Sequence, residues 1–183
     1  MLLARLQLLL NSVPGAYQPR LTARVLFPSP LLRSITHLNL ASNDLAPEGA
    51  KVICDALKTN DTLVSLDLSN FSGCTTEGDI TADGAIAVAE MLQVNEKLTS
   101  LNLSGNAIGG FDRGSTMHGG VTWSSQTPEG PRLLARALEH NTAMLVLQID
   151  GNHVDFPTAA KINLRLEINR INQHNGRLTG IFM

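Results

Sequence analysis

The stretch Leu-Thr-Ser-Leu-Asn-Leu-Ser-Gly-Asn, residues 98–106, has leucines at offsets 0, 3 and 5 and an asparagine at offset 8. The same phrase recurs as ITHLNLASN from Ile35, LVSLDLSNF from Leu63 and MLVLQIDGN from Met144. Alternating apolar residues turn one side of a short extended strand towards a core and the other side to solvent. Four copies of one strand phrase therefore indicate a solenoid, in which each unit buries its apolar side against its neighbours.

A helical phrase follows each strand phrase and opens on a glycine or threonine. An apolar residue, a leucine and an asparagine follow the opening residue at offsets 4, 8 and 11. The opening residues are Gly49, Gly84, Gly130 and Thr158. Apolar residues three and four positions apart are typical of a helix with one buried stripe. From each opening glycine to the next strand phrase the distance is 14 residues, so we expect units of constant geometry.

The two phrases together predict an alternating α/β chain. We expect parallel strands on one face near residues 37–40, 65–68, 100–103 and 146–149. We expect helices on the other face near residues 48–59, 83–94, 129–140 and 158–173, the third with Thr127 as its N-cap. The inward leucines Leu66, Leu101 and Leu147 should then be buried between neighbouring repeats.

The unit of about 28 residues, counted from 35 to 63, resembles the ribonuclease-inhibitor-like branch of the leucine-rich repeats over roughly residues 35–170. That resemblance implies a leucine-rich-repeat solenoid, a short right-handed horseshoe arc with parallel strands on its concave face and helices on its convex face. Members of this branch inhibit nucleases, sense ligands within larger receptors or act on small GTPases. The fold alone does not choose among these functions.

One local resemblance within that branch is narrower. The stretch AEMLQVNEKLTSLNLSGN, residues 89–106, and LQIDGN, residues 147–152, with the lysine-bearing helix after it, are similar to the repeat domain of the tropomodulins. The resemblance implies actin as a partner. We do not expect the tropomodulin repeat domain to contain a counterpart of the insertion over residues 109–127.

Composition limits the classes of function. A chain of 183 residues with 43% hydrophobic residues and a net charge of -2 suggests one soluble globular domain with no general attraction to nucleic acid or anionic membrane. No apolar run reaches the ~18 residues of a membrane span. Neither the five histidines nor the two cysteines have metal-ligand spacing, and no nucleophile and base share a catalytic pattern. We therefore predict no enzyme, no cofactor and no small-molecule substrate, in a reducing, cytoplasmic setting.

The two ends of the chain carry their own predictions. Residues 1–34 suggest a capping helix over 2–11 and a proline-rich lead-in, with a targeting arm as the alternative because residues 1–43 have four arginines and no acid. At the other end, Lys161 and Arg165 replace apolar residues of the earlier helices. We therefore expect four repeats over 35–175 and a tail over 176–183, and the alternative is a fragment of a longer array.

Two insertions interrupt the repeat between strand and helix. They lengthen repeats two and three by 7 and 18 residues, over 72–83 and 109–127. Insertions on one face of consecutive repeats often mark a binding surface. The longer one supplies five candidate partner-binding residues: Phe111, Arg113, Met117, His118 and Trp123. Tryptophan is enriched at interface hot spots, although Trp123 could equally staple its loop to the repeats.

The solvent side of the strands is the second candidate surface. Its candidate partner-binding residues are His37, Asn39, Asp67, Asn102, Gln148 and Asp150. They are polar and mildly acidic, and the alternative for each is an ordinary solvated strand position.

These patterns predict a non-enzymatic protein–protein interaction module that binds a protein partner through the insertion rim, the concave face or both. One alternative is a structural subunit of a large mitochondrial or cytoskeletal assembly. Others are an actin-binding, tropomodulin-like protein and a GTPase-activating accessory, for which Arg113 would be the natural arginine finger.

Overall fold

The repeat prediction is confirmed by the structure, a computed structural model that describes residues 35–70, 79–113 and 123–179. The strands are β1 (His37–Asn39), β2 (Ser65–Asp67), β3 (Ser100–Asn102), β4 (Gly110–Arg113), β5 (Trp123–Gln126) and β6 (Val146–Gln148). The helices are α1 (Ala46–Leu57), α2 (Thr81–Leu92), α3 (Glu129–His140) and α4 (Phe156–Thr179). The capping helix predicted for residues 2–11 lies outside the described residues.

One parallel sheet contains the four repeat strands in the order β1-β2-β3-β6. The register places Leu66 opposite Leu38 on one side and Leu101 on the other, and Leu101 opposite Leu147. All three leucines predicted to lie inside are buried, with Leu101 at 0% exposure. The helices pack in sequence order, α1 on α2, α2 on α3 and α3 on α4, so the core lies between the helices and the sheet.

In repeats one, three and four, the chain leaves the strand through a bend that uses left-handed backbone on both sides of the offset-8 asparagine. The residues before and after it have positive φ in repeats one, three and four: Ser42 (56°) and Asp44 (48°), Gly105 (72°) and Ala107 (51°), Gly151 (70°) and His153 (51°). Left-handed backbone is costly for residues other than glycine. The bend is therefore fixed by its surroundings, and its asparagine supplies the hydrogen bonds that hold it.

A second row of asparagines joins the helix ends. The Nδ2 atom of Asn95 donates to the carbonyl oxygens of Leu57 and Asn60 in the preceding repeat, at 2.7 and 3.2 Å. Its Oδ1 atom accepts the N–H groups of Lys97 and Leu98, at 2.9 and 2.7 Å. Asn141 repeats this arrangement one unit later. Each such asparagine satisfies backbone groups that the end of a helix leaves open.

Several observed element boundaries differ from the expected ones by a few residues. Helices α1 and α2 begin two residues earlier than expected, so residues 81–83 belong to α2 and not to the shorter insertion. Helix α4 continues to Thr179, so residues 176–179 are helical and not tail. The N-cap of α3 is Pro128 and not Thr127, and no side-chain bond caps this helix. The N–H of Thr127 donates to the carbonyl of Gly109.

The argument from Lys161 and Arg165 for the end of the array was also wrong. A Cβ on Gly84 of α2 would lie 3.3 Å from Cβ of Ala50, so the Ala50 side of α1 meets the following repeat. Val52, at the position equivalent to Lys161, is only half-buried because no described helix packs on its side. Lys161 and Arg165 therefore lie on the side of α4 that faces the preceding repeat.

Candidate interaction surfaces

The longer insertion forms a two-stranded antiparallel ribbon. Strands β4 and β5 pair with Gly110 opposite Gln126 and Phe111 opposite Ser125, and the last pair is Arg113 with Trp123. Three of the five candidate residues of this insertion therefore belong to one ribbon. Met117 and His118 lie outside the described residues.

The base of the ribbon is packed tightly against the last repeat. The N–H of Gly109 donates to the carbonyl of Asn152 at 2.8 Å, and the N–H of Thr127 closes the base by donating to the carbonyl of Gly109 at 3.1 Å. A Cβ on Gly109 would lie 2.5 Å from the carbonyl oxygens of both Asn152 and His153. Only glycine permits this close approach, so the ribbon begins from a fixed point.

The side chain of Asn152 connects that base to the core. Its Oδ1 atom accepts the N–H groups of Asn106 at 2.9 Å and Ile108 at 3.2 Å. Its Nδ2 atom donates to the carbonyls of Leu103 and Ile149, at 2.8 and 3.0 Å. Asn152 is almost fully buried, so these bonds have no competition from water. The offset-8 asparagine of repeat four thus fixes the segment that leads into the ribbon.

Asn106 connects the shorter insertion in the same way. Its Oδ1 atom accepts the N–H of Ile80 at 3.2 Å, and its carbonyl accepts the N–H of Thr81 at 2.9 Å. Across the shorter insertion, Nδ2 of Asn70 donates to Oδ1 of Asp79 at 3.0 Å, and both residues are buried. The two insertions therefore begin and end at neighbouring points of consecutive repeats. Phe71, which replaces the asparagine of this repeat, lies outside the described residues.

The concave candidates form rows across the sheet. Asn39, Asp67, Asn102 and Gln148 occupy one register position on β1, β2, β3 and β6, and His37 begins the neighbouring row. Asn39 and Gln148, on the two outer strands, are exposed, whereas Asp67 and Asn102 on the inner strands are half-buried. His37 and Asp150 are also exposed.

Much of the hydrogen-bonding capacity of this row is used within the chain. The Oδ1 atoms of Asn39, Asp67 and Asn102 each accept a backbone N–H from two residues further along, at 2.8, 2.9 and 3.0 Å. These are local turns that end the strands. The sequence analysis assigned these residues to partner binding and missed that their side chains hold the turns at the strand ends. Their position just before the bends would have indicated this structural role.

Charge on the helical side is sparse and exposed. Nζ of Lys58 is 2.9 Å from Oε2 of Glu90 and 3.0 Å from Oδ1 of Asp55, so one lysine joins repeats one and two. The hydrogen bond with Glu90, and then the one with Asp55, raises the pKa of Lys58. Exposed pairs of this kind contribute little to stability.

Neither a metal-binding cluster nor a membrane-spanning helix occurs in the part of the chain that the structure describes. There, no three histidine, cysteine, aspartate or glutamate side chains are grouped so that they could hold a metal ion. Over the same ranges, no helix has the length and apolar character needed to cross a bilayer.

Comparison with known proteins agrees with this architecture. The leucine-rich repeat family model matches residues 32–54 and 94–110. Among solved structures, actin-binding site 2 of leiomodin-1 is similar, with a TM-score of 0.59 and 24% identity over 80% of this chain and 70% of that chain. The tropomodulin C-terminal domain of Caenorhabditis elegans aligns with a TM-score of 0.45 and 10% identity over 79% of this chain and 90% of that chain. No curated protein matches significantly.

The repeats are thus leucine-rich repeats, arranged as an open α/β solenoid. At 24% identity, the likeness to leiomodin-1 extends to the fold alone.

Proposed function

We propose that this chain is a non-enzymatic protein-interaction module that binds a protein partner through its insertion rim. The insertion rim is defined here as the β4–β5 ribbon with its base at Gly109 and Thr127, together with the neighbouring base of the shorter insertion at Asn70 and Asp79. The observation that carries the proposal is the buried hydrogen bonding of Asn106 and Asn152, which holds both insertion bases on consecutive repeats.

A fixed base favours binding because a loop that is already ordered loses less conformational entropy when a partner docks. The ribbon also brings the backbones of Arg113 and Trp123 opposite each other, and Phe111 lies two residues before Arg113. Arginine and aromatic residues are the types that carry most of the energy of protein interfaces. Met117 and His118, in the segment between the two strands, complete the proposed rim.

The concave face is the second surface in this proposal. His37, Gln148 and Asp150 present exposed polar groups there. Three other candidates already use a side-chain oxygen within the chain, so this face has fewer free groups and no arginine or aromatic anchor. We therefore assign it a lesser share of the binding energy.

We choose actin as the first purified partner to test, because the matched leiomodin-1 structure is an actin-binding site. We also propose a cytoplasmic location. Cys54, the cysteine among the described residues, is a free thiol, as expected in a reducing compartment.

The test replaces residues 114–122 by Asn-Gly, a dipeptide that closes two-residue hairpins, directly between Arg113 and Trp123. The change removes Met117 and His118 and leaves the paired strands in place. Capture from native extract with mass spectrometry, and co-sedimentation with purified actin, should both be compared with the parent chain. The matched control carries Asp150→Asn on the concave face.

The proposal expects the shortened chain to capture clearly less of a partner than the parent and the control do, because it lacks Met117 and His118 of the proposed rim. Equal capture by all three chains would contradict it. Recovery of one stoichiometric assembly, retained by the shortened chain, would favour the structural-subunit alternative.

A further inference from the structure

The outer side of α4 carries an exposed apolar stripe. Leu164, Ile168 and Ile171 are 64%, 37% and 50% exposed, and their spacing of four and three residues places them on one side of the helix. The residues equivalent to Leu164, six positions after the opening residue, are charged in the three earlier repeats: Asp55, Glu90 and Arg136. An exposed apolar patch at a position that is otherwise charged is typical of a protein interface.

The stripe lies opposite the side of α4 that packs on the core. Ile162 and Leu166 are on the core side and are almost fully buried. Leu164 is two residues from each of them, and two residues turn a helix by about 200°. The packing between repeats therefore does not use the stripe, which faces away from the solenoid.

Helix α4 is long enough to extend the stripe. Helices α1, α2 and α3 have 12 residues each, whereas α4 has 24. The half of α4 beyond Asn169 adds Ile171 and Asn175 to the same side, and both are exposed. From Leu164 to Asn175 the stripe covers about three turns.

The spacing of the stripe is that of a coiled-coil seam. In a heptad written abcdefg, Leu164 and Ile171 occupy d positions, and Ile168 and Asn175 occupy a positions. A β-branched residue at a with leucine at d favours two parallel strands, and a single asparagine at a specifies the register of the pair. A second helix with the same pattern fits this stripe, and a second copy of the chain supplies one.

The charges beside the stripe favour a parallel pair. Arg165 is at an e position and Glu167 at a g position. In a parallel pair the e side of one helix faces the g side of the other, so Glu167 of each copy approaches the Arg165 side of the other copy. That side also faces α3, where Arg136 is exposed. An antiparallel pair would instead bring the two Arg165 sides together.

The ion pairs within the chain leave these charges available. Arg165 is half-buried and forms no ion pair among the described residues. Oε2 of Glu167 is 3.1 Å from Nη1 of Arg170, but both side chains are exposed. Such an exposed pair contributes little and can be exchanged for a contact with another molecule.

We propose that the outer stripe of α4 is a dimerisation surface whose occupant is a second copy of this chain, paired in parallel through Leu164, Ile168, Ile171 and Asn175. The seam is short, so the area that it buries is at the low end for a specific interface and the dimer forms at high protein concentration. None of these residues belongs to the insertion rim, so the two proposals stand or fall separately.

Sedimentation equilibrium of the full chain, up to about 0.5 mM, tests the pairing. The mass of the parent should rise with concentration towards that of two chains. Leu164→Lys with Ile171→Lys should weaken the dimer at least about tenfold, because it places like charges on the seam. The control, Ile86→Lys with Val94→Lys, changes two residues of repeat two that are similarly exposed, at 45% and 56%, and should dimerise like the parent. A parent that stays monomeric, or equal weakening in both variants, would overturn the proposal.

Cysteine cross-linking tests the orientation. Asn175→Cys and Arg170→Cys are introduced separately into a chain with Cys74→Ser, in which Cys54 is buried. Equal a positions face each other across a parallel pair, whereas Arg170, at a c position, lies away from the seam. Asn175→Cys should therefore form a disulfide-linked dimer at least about tenfold faster than Arg170→Cys. Equal rates of linking, or no linked dimer with Asn175→Cys, would overturn parallel pairing through this stripe.

Discussion

The backbone N–H of Asn106 donates a 2.9 Å hydrogen bond to Oδ1 of Asn152, which is 46 positions further along the chain. The same oxygen accepts the N–H of Ile108, so one carboxamide joins repeat three to repeat four and fixes the approach to the ribbon. The surface proposed to bind a partner is therefore held by the repeat core.

Replacement of Asn152 by alanine should destabilise the fold by at least about 2 kcal/mol, because it leaves several buried backbone groups without partners. Urea denaturation followed by circular dichroism measures the free energy of unfolding. Asn43→Ala is the matched control at the same offset, since Asn43 is only half-buried and its Nδ2 atom donates to the carbonyls of Leu40 and Ala41 of its own repeat. Equal losses in the two variants would contradict the special role of Asn152.

Leu101→Ala should cost about 2–5 kcal/mol, because Leu101 is fully buried between two neighbouring strands and its truncation leaves a cavity. Thermal and urea unfolding should both show the loss as one shifted transition, since adjacent repeats lose their interface together. Leu164→Ala is the control, because Leu164 is 64% exposed and its truncation should change stability by less than about 0.5 kcal/mol. A Leu101→Ala chain that unfolds like the parent would be incompatible with a single core.

Ser42→Gly should stabilise the protein by roughly 0.5 kcal/mol. Ser42 has a φ of 56° at the position where Gly105 and Gly151 have 72° and 70°. Glycine adopts this backbone without the steric cost that serine bears, and its greater freedom in the unfolded chain offsets part of the gain. Ser65→Gly, within strand β2, should instead be destabilising, so the two variants should change the free energy of unfolding of the parent in opposite directions. Destabilisation at both positions would mean that the bend does not strain Ser42.

The Cys54 thiol should give the protein a specific sensitivity to alkali. Burial, above all, raises the pKa of Cys54 from 9.0 to about 12, and the neighbouring Asp55 adds to the effect. The folded state therefore holds the proton more tightly than the unfolded chain. The associated stability is complete below pH ~9 and is lost as the pH rises from there towards ~12, by about 1.4 kcal/mol for each pH unit.

Urea midpoints between pH 8 and 11 check this expectation, with Cys54→Ala as the reference for all other titrating groups. The parent should lose stability more steeply than Cys54→Ala above pH ~9. Parallel pH profiles for the two chains would show that Cys54 does not ionise on unfolding as described. Rapid alkylation of the native thiol at pH 8 would contradict its burial.

The strands and helices were predictable because a constant spacing repeats the same physical demand four times. The leucine or isoleucine residues at offsets 3 and 5 have to face inward in every copy, and the 14-residue helix-to-strand spacing fixes where the next strand lies. The register of Leu66, Leu101 and Leu147 follows from that spacing.

Other features depend on contacts between repeats that a local pattern does not contain. The asparagines at offset 11, such as Asn95 and Asn141, were visible as a pattern, but their bonds to the preceding repeat were not. The ribbon was unexpected because its glycine-rich sequence lacks the apolar alternation of a half-buried strand. Its pairing depends on the two ends being brought together at Gly109 and Thr127.

The candidate binding residues were chosen by residue type and position. The sequence showed that two insertions occur in consecutive repeats, and the structure adds that Asn106 and Asn152 hold their bases side by side. On the concave face, sequence position correctly indicated exposure for His37 and Gln148. It did not reveal that Asn39, Asp67 and Asn102 already bond to their own backbone.

The most direct test of the insertion rim compares two variants for affinity to the partner recovered by capture. Trp123→Ala should weaken binding at least about tenfold, as expected for an aromatic hot spot, with circular dichroism and melting temperature nearly unchanged. Simultaneous introduction of three negative charges on the concave face, Ser65→Glu, Ser100→Glu and Gln148→Glu, should change affinity less than about threefold. Binding that survives Trp123→Ala but fails with the concave changes would contradict the rim and assign the site to the sheet face. Loss of the fold in Trp123→Ala would show that this residue is a structural staple.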